Sequence, residues 1–307
     1  MVDDTAGGRH EDVSGGPLLG HERALLNLAY RLLGSLADAQ DAVQEAYTRW
    51  YALAAEQRNA IDSPGAWLNT VVSRVCLDLL GSARVRREGY VGEWLPEPLP
   101  DSVQWRSGGA EMAADPADRI TLDESVDMAL LVILDSLTPA ERVAFLLHDV
   151  FRYPFTEIAE IVGRTPAACR QLASSARRRI KDARPVTASI GERAAVVRSF
   201  KRAWEAKDIG ALVAILDPSA TAVADGGGRV RASVIPIEGG DRIAEFLVGL
   251  ATRAGVLTLL ERTVNGQPGL VALDHGTTAA VYAFDVADHR IQRLWVIRNP
   301  EKLGSWR

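Results

Sequence analysis

FTEIAEIVGRTPAACRQLAS (Phe155–Ser174) is the stretch that decides how the rest of this chain is read. Ile158, Ile161, Cys169 and Leu172 can close a small apolar core between two short helices. Ala159 stands where those helices cross, a place where a larger side chain would clash, and Gly163 supplies the turn four residues on. Arg164-Thr165-Pro166 tightens that turn, with Thr165 as N-cap and proline at the first helical position. These spacings predict a helix-turn-helix whose second helix runs from Pro166 to about Lys181. In that helix Ala168, Leu172, Ala176 and Ile180 recur every four residues and are expected to pack inward. Ala167, Arg170, Gln171, Ser174, Arg177, Arg178 and Lys181 fall together on the outer face, and Arg164 and Thr165 join them from the turn. An arginine can grip guanine through two hydrogen bonds, a glutamine can read adenine, and a short alanine lets the backbone approach the groove. The later arginines suit phosphates. The competing reading is a solvated helix with a basic end, but such a face ordinarily mixes in acids, and none lies between Ala167 and Lys181.

Net charge first argues against that conclusion and then supports it. The 307 residues carry 35 Lys and Arg against 40 Asp and Glu, a formal −5. The sum hides unlike parts. Residues 1–17 hold one Arg and four acids, and residues 88–126 hold two basic groups against nine acids. Residues 164–184 hold seven basic groups and one acid, a local stripe of +6. A local basic stripe, rather than the total, is the footprint of nucleic-acid binding. Two cysteines far apart form no disulfide framework, which points to a reducing cytoplasm. The five histidines show no zinc-ligand spacing, and no cofactor is implied. No apolar run reaches a membrane span, and the acidic start has no apolar core of a signal peptide.

Outward from the helix-turn-helix, the chain divides by texture. Residues 1–17 read as a disordered lead. From Leu18, Leu25, Leu28 and Leu32 recur at helical spacing up to a stop at Gly34. Ser35 with Asp38 resembles a capping box, and the helix behind it sets Val43, Ala46, Tyr47 and Trp50 on one face. Asp38, Asp41 and Glu45 form a separate acidic stripe on it, suited to a basic surface or to plain solvation. Ser63-Pro64 starts another helix with core residues Leu68, Val71, Val72, Val75 and Leu79. Its other face carries Asn69, Thr70, Ser73 and Arg74, and it runs into Arg84, Arg86 and Arg87. Trp67 on this helix suits either base stacking or the core.

Residues 18–87 are therefore expected to be one small all-α domain. Residues 88–120, with Pro96, Pro98, Pro100, Pro116, Trp94 and Trp105, form an acidic linker too long for a simple connection. Residues 121–184 are helical again, with a strong helix start at Thr138-Pro139-Ala140-Glu141. Residues 185–307 begin with helical patterns over 191–216 and continue as strand-like runs at Thr221–Ala224, Leu257–Val264, Leu270–Leu273, Thr278–Phe284 and Ile291–Ile297. That order implies an α+β domain with antiparallel strands.

Together these residues resemble an RNA polymerase sigma factor of the extracytoplasmic-function type. LADAQDAVQEAY (Leu36–Tyr47) is similar to the family's polymerase-binding helix, which assigns Asp38, Asp41, Gln44 and Glu45 to core polymerase. WLNTVVSRVCLD (Trp67–Asp78) is similar to the helix that opens and reads the −10 element, which assigns Trp67, Asn69, Thr70, Arg74, Arg84, Arg86 and Arg87 to DNA. The helix-turn-helix would read the −35 element. Three further motifs resemble the group-41 type with a fused SnoaL-like cone. They are Trp94-Leu95-Pro96-Glu97-Pro98-Leu99, Asp225-Gly226-Gly227-Gly228-Arg229-Val230 and Asn299-Pro300-Glu301-Lys302-Leu303, which the resemblance makes interdomain regulatory contacts. Gly81 replaces a basic residue common in this type, and Glu301 replaces an aspartate.

The implied function is promoter-specific initiation with core polymerase, regulated in cis by the fused domain. Trp94 and Leu95 are expected to dock on that domain, with Asn299–Leu303 near the linker. A ligand-sensing regulator without polymerase is one alternative, and a cyclase- or hydrolase-like enzyme is another. Candidate acid–base groups for the enzyme are Asp225, Asp274, His275, Asp285 and His289, which form no dyad by spacing. No catalytic residue is assigned. The cone is expected to be regulatory, with a pocket suited to a small apolar molecule.

Overall fold

The computed structural model describes residues 19–101, 127–183, 188–253 and 257–306, and for residues 19, 20, 83–88 and 253 the backbone alone. The first helical module comprises α1 (Leu19–Leu33), α2 (Leu36–Ala52), the short α3 (Ala55–Asn59) and α4 (Pro64–Glu88). Gly34, in the left-handed region at φ 70°, closes α1, and the Ser35 side chain accepts from Asp38 N to start α2. The second module comprises α5 (Met128–Asp135), α6 (Pro139–Phe145) with a π turn at Leu146–Val150, α7 (Phe155–Val162) and α8 (Pro166–Ala183). Thr138 and Glu141 form the reciprocal cap of α6. Residues 121–126, expected to be helical, lie outside the described residues, as do 102–120 of the linker.

The modules do not stand apart. One continuous apolar core runs from Leu25, Leu28 and Trp50 through Leu68 and Val72 to Leu146, Ile158 and Cys169. Helix α4 touches α6 and α7 as well as α1 and α2. Helix α5 is apolar on nearly every side, as a helix buried all round must be. Its Leu130, Leu131 and Leu134 join the helical core, while Met128 and Ala129 pack on the C-terminal sheet.

The C-terminal domain starts with α9 (Ile190–Glu205) and α10 (Ile209–Ile215). It continues through β1 (Leu216–Asp225), β2 (Ile237–Glu238), α11 (Gly240–Arg253), β3 (Thr258–Val264), β4 (Gln267–Asp274), β5 (Thr277–Ala287) and β6 (Arg290–Ile297). The sheet order is β2-β1-β6-β5-β4-β3. The expected all-antiparallel pairing is corrected in one place: β1 and β6, the first and last long strands, lie parallel. Helix α11 has no counterpart in the sequence reading, because Gly239, Gly240 and Gly249 obscure the buried row Ile243, Ala244 and Leu247.

Side-chain alternation gives the sheet two covered faces. On β5, Ala280, Tyr282, Phe284 and Val286 face the helices α9, α10 and α11, while Val281 and Ala283 face the opposite way. That second face receives Met128 and Ala129 of α5, Leu95 of the linker and Leu303 of the tail. The cone is thus seated on the helical modules by its sheet.

Candidate nucleic-acid interface

The helix-turn-helix forms as its spacing requires. Gly163 ends α7 in the left-handed conformation at φ 69°, and Thr165 Oγ1 accepts from Ala168 N at 3.2 Å to start α8. Arg164, Thr165, Ala167, Arg170, Gln171, Ser174, Arg177, Arg178 and Lys181 are all exposed. The inward row differs from the expected one. Cys169, Ala173 and Ala176 are buried, whereas Ala168, Leu172 and Ile180 are half-buried. A strict four-residue step drifts around a helix of 3.6 residues per turn, and the true core row alternates steps of four and three. The Arg170 guanidinium rests 5.6 Å from the Phe155 ring centre, and Arg177 pairs with Asp149 at 2.8 Å.

On α2, Asp41, Gln44 and Glu45 are exposed and Asp38 is half-buried, with Glu45 bonded to Arg49 at 2.8 Å. On α4 the expected open polar face is partly closed. Asn69 and Ser73 are buried, because α4 is flanked by the second module as well as its own. Thr70 Oγ1 donates to the Ala66 carbonyl at 3.0 Å, and the exposed Arg74 donates through Nη2 to the Glu160 carbonyl of α7 at 3.1 Å. Trp67 is half-buried, edge-on to Trp50 at 5.3 Å, so packing accounts for it in this state. The side chains of Arg84, Arg86 and Arg87 lie outside the described residues.

The linker motif is the most densely bonded segment of the site. Asp225, fully buried at the end of β1, accepts from Lys302 Nζ at 2.6 Å, Tyr90 Oη at 2.6 Å, Leu95 N at 3.0 Å and Gly227 N at 3.0 Å. Lys302 Nζ also donates to the Leu95 carbonyl and lies 4.2 Å from the Trp94 ring centre. Burial beside the Asp225 carboxylate pushes the Tyr90 phenol well above its ordinary range. Glu97 then crosses to the first module. Its N–H donates to the Gly34 carbonyl at 2.8 Å, its carbonyl accepts from Tyr30 Oη at 2.6 Å, and its carboxylate accepts from Leu36 N, the first residue of α2, at 2.7 Å. Burial raises the Glu97 carboxyl above the usual range, opposed by the Leu36 N–H and the Lys302 charge.

Leu99 exchanges two bonds with Asn265, whose Nδ2 reaches Tyr30 Oη at 2.8 Å, and Trp306 Nε1 donates to the Pro98 carbonyl at 2.8 Å. The glycines of Asp225–Gly228 have a reason in space. A Cβ on Gly227 would lie 2.4 Å from Asn299 Nδ2, and one on Gly226 would lie 2.4 Å from the Val230 carbonyl. Asn299 caps the Pro300–Lys302 turn and donates to Tyr90 Oη at 2.9 Å. Trp94, Leu95 and Asn299–Leu303 therefore meet at one place. The sequence offered no sign of Tyr30, Tyr90, Asn265 or Trp306 as members. Asn265 reads from sequence only as half of an Asn-Gly hairpin turn.

The candidate acid–base groups do not assemble into a reactive centre among the described residues. Asp225 is engaged as above, and His275 and His289 are exposed turn residues with positive φ. On the helix-facing side of the sheet Phe200, Trp204, Tyr282 and Phe284 pack with ring centres 5.3–5.9 Å apart. Burial pushes the Tyr282 phenol up to about 12. A cavity of about 500 Å3 is lined by Glu238, Asp241, Arg242 and Arg290 beside Leu216 and Pro218. Among the described residues no group of three His, Cys, Asp or Glu could hold a metal, and no helix is long and apolar enough to cross a membrane.

Two helical modules, the second a helix-turn-helix with an exposed basic helix, tied by a linker to an α+β cone, define a two-module DNA-binding protein with a fused third domain. Comparison with known proteins makes this specific. Residues 19–86 match the model of sigma-70 region 2, and residues 127–180 match that of sigma-70 region 4. The chain is 39% identical over 295 residues to the ECF RNA polymerase sigma factor SigJ of Mycobacterium tuberculosis, covering 91% of this chain and 89% of that one. It is 35% identical over 290 residues to the probable ECF RNA polymerase sigma factor SigI of the same species, covering 94% and 93%. The crystal structure of M. tuberculosis SigJ is similar with a TM-score of 0.70 and 34% identity, covering 93% of this chain and 96% of that one. The chain belongs to the ECF RNA polymerase sigma factors, and it directs promoter-specific transcription initiation.

Proposed function

We propose that α8 reads the −35 element through Arg170 and Gln171, that α4 with Arg74 engages the −10 element, and that the acidic face of α2 binds core polymerase. The cone regulates these activities in cis and without catalysis, by seating the linker so that the two modules stay together. The single observation carrying this reading is the contact of Arg74 on α4 with Glu160 on α7. Elements named −35 and −10 lie about 25 base pairs apart, roughly 85 Å along duplex DNA at 3.4 Å per pair. Modules in direct contact do not span that length, so promoter engagement requires them to separate. The buried thiols Cys76 and Cys169 agree with a reducing cytoplasm as the working compartment.

Deleting residues 299–307 removes Asn299, Lys302 and Trp306 from the linker seat, and it is expected to change initiation by core polymerase at a defined promoter. Identical transcription with and without the segment would overturn regulation through this seat. Arg170→Ala is expected to cost about 1–3 kcal/mol of affinity and to relax preference at one −35 base. Competition with single-base promoter variants checks this. Equal weakening on every sequence would make Arg170 a phosphate contact instead.

A further inference from the structure

We infer that regions 2 and 4, packed on one apolar core, are latched to each other by a reciprocal pair of arginine contacts whose bonds are distinct from those of the linker. The inference rests on the reading of α4 given above, and it adds a second restraint beside the linker seat. Arg142 of α6 is only 4% exposed. Its Nη1 donates to the Leu32 carbonyl of α1 at 2.9 Å, and its Nη2 pairs with Asp135 at 2.8 Å. Leu32 lies in the last turn of α1, where carbonyls have no helical partner and carry partial negative charge. A guanidinium aimed there by Asp135 supplies both a donor and a cation. Arg74 makes the opposite contact, from region 2 to the Glu160 carbonyl of region 4. The Arg31 guanidinium of α1 also lies 5.8 Å from the Phe151 ring centre of region 4.

Linker and cone grip the same end of α1 and the start of α2 through other groups, at Tyr30, Gly34 and Leu36, so the two restraints adjoin without sharing a bond. Both arginine contacts end on backbone carbonyls, which water can replace when the modules part. The restraint is therefore reversible and moderate, and losing one charged donor is expected to shift the open-to-closed ratio about tenfold.

The test places spin labels at Glu56→Cys on α3 and Thr156→Cys on α7 of the full chain, both exposed positions, with Cys76 and Cys169 buried against labelling. Distances are read by pulsed electron resonance without DNA or polymerase. The result is then independent of whether α4 reads the −10 element. Wild type is expected to give one short distance. Arg142→Gln is expected to raise the long-distance fraction about tenfold while hydrogen exchange at Leu95, Glu97 and Leu99 stays as in wild type. If Arg142→Gln fails to fold, Arg74→Gln, whose side chain is exposed, carries the same readout and the same expectation. An unchanged distance distribution in the folded variant would overturn the inference. So would opening accompanied by equal loss of linker protection, because the arginine would then act through the linker seat rather than as a latch of its own.

Discussion

Asp225→Ala is expected to destabilise the protein by about 3–5 kcal/mol and to release the linker from the cone. Asp225 has no exposure, and its partner Lys302 is only 10% exposed at the side chain. Removing the carboxylate leaves the Lys302 ammonium buried against Trp94 and Tyr90 with its counter-charge gone. It also strips the acceptor from Leu95 N, Gly227 N and Tyr90 Oη. Leaving one member of a buried ion pair unpaired costs far more than the pair itself contributes. Asp225→Asn keeps an acceptor oxygen and is expected to fall between wild type and alanine. Thermal unfolding gives the stability, and hydrogen exchange at Leu95, Glu97 and Leu99 gives the linker state. A loss no larger than that of the exposed Asp274→Ala would contradict the central place of Asp225.

Leu95→Ala should cost about 2–5 kcal/mol, the range for a leucine removed from a packed core. Leu95 is 3% exposed and belongs to one apolar cluster with Met128 and Ala129 of α5, Val281 and Trp295 of the sheet, and Leu303 of the tail. One side chain thus joins four segments of the chain, and the surroundings can collapse little because the sheet is rigid. Val91→Ala is the matched control: Val91 is 61% exposed and should change stability by less than about 0.5 kcal/mol. Denaturant midpoints of the two variants decide the matter. Equal midpoints would mean that the linker is laid on the surface rather than built into the core.

Much of this was legible in the sequence, and the exceptions have physical causes. Local signals carried the helix-turn-helix: Thr165 as cap, Gly163 as turn and an acid-free outer face all lie within a few residues of one another. The charge map was legible too, once −5 was divided into its parts. The docking of region 4 on region 2 was not, because its acceptors are the carbonyls of Leu32 and Glu160, which every residue possesses. The burial of Asn69 and Ser73 follows from that docking and was hidden for the same reason. The Asp-Gly-Gly-Gly turn reads as flexible in sequence. Two of its glycines are instead required by close approach: the Val230 carbonyl, four residues on, faces Gly226, and Asn299, distant in the chain, faces Gly227. The parallel pairing of β1 with β6 is likewise a contact between the ends of the domain that no local pattern encodes.

We propose that the free protein is closed and that its modules part when it joins core polymerase to engage a promoter. The distance between labels on α3 and α7, measured in the full chain alone and after binding core polymerase, tests this most directly. A single short distance in the free chain, replaced by a much longer one in the holoenzyme, is the expected result. The same distribution in both states would contradict the account.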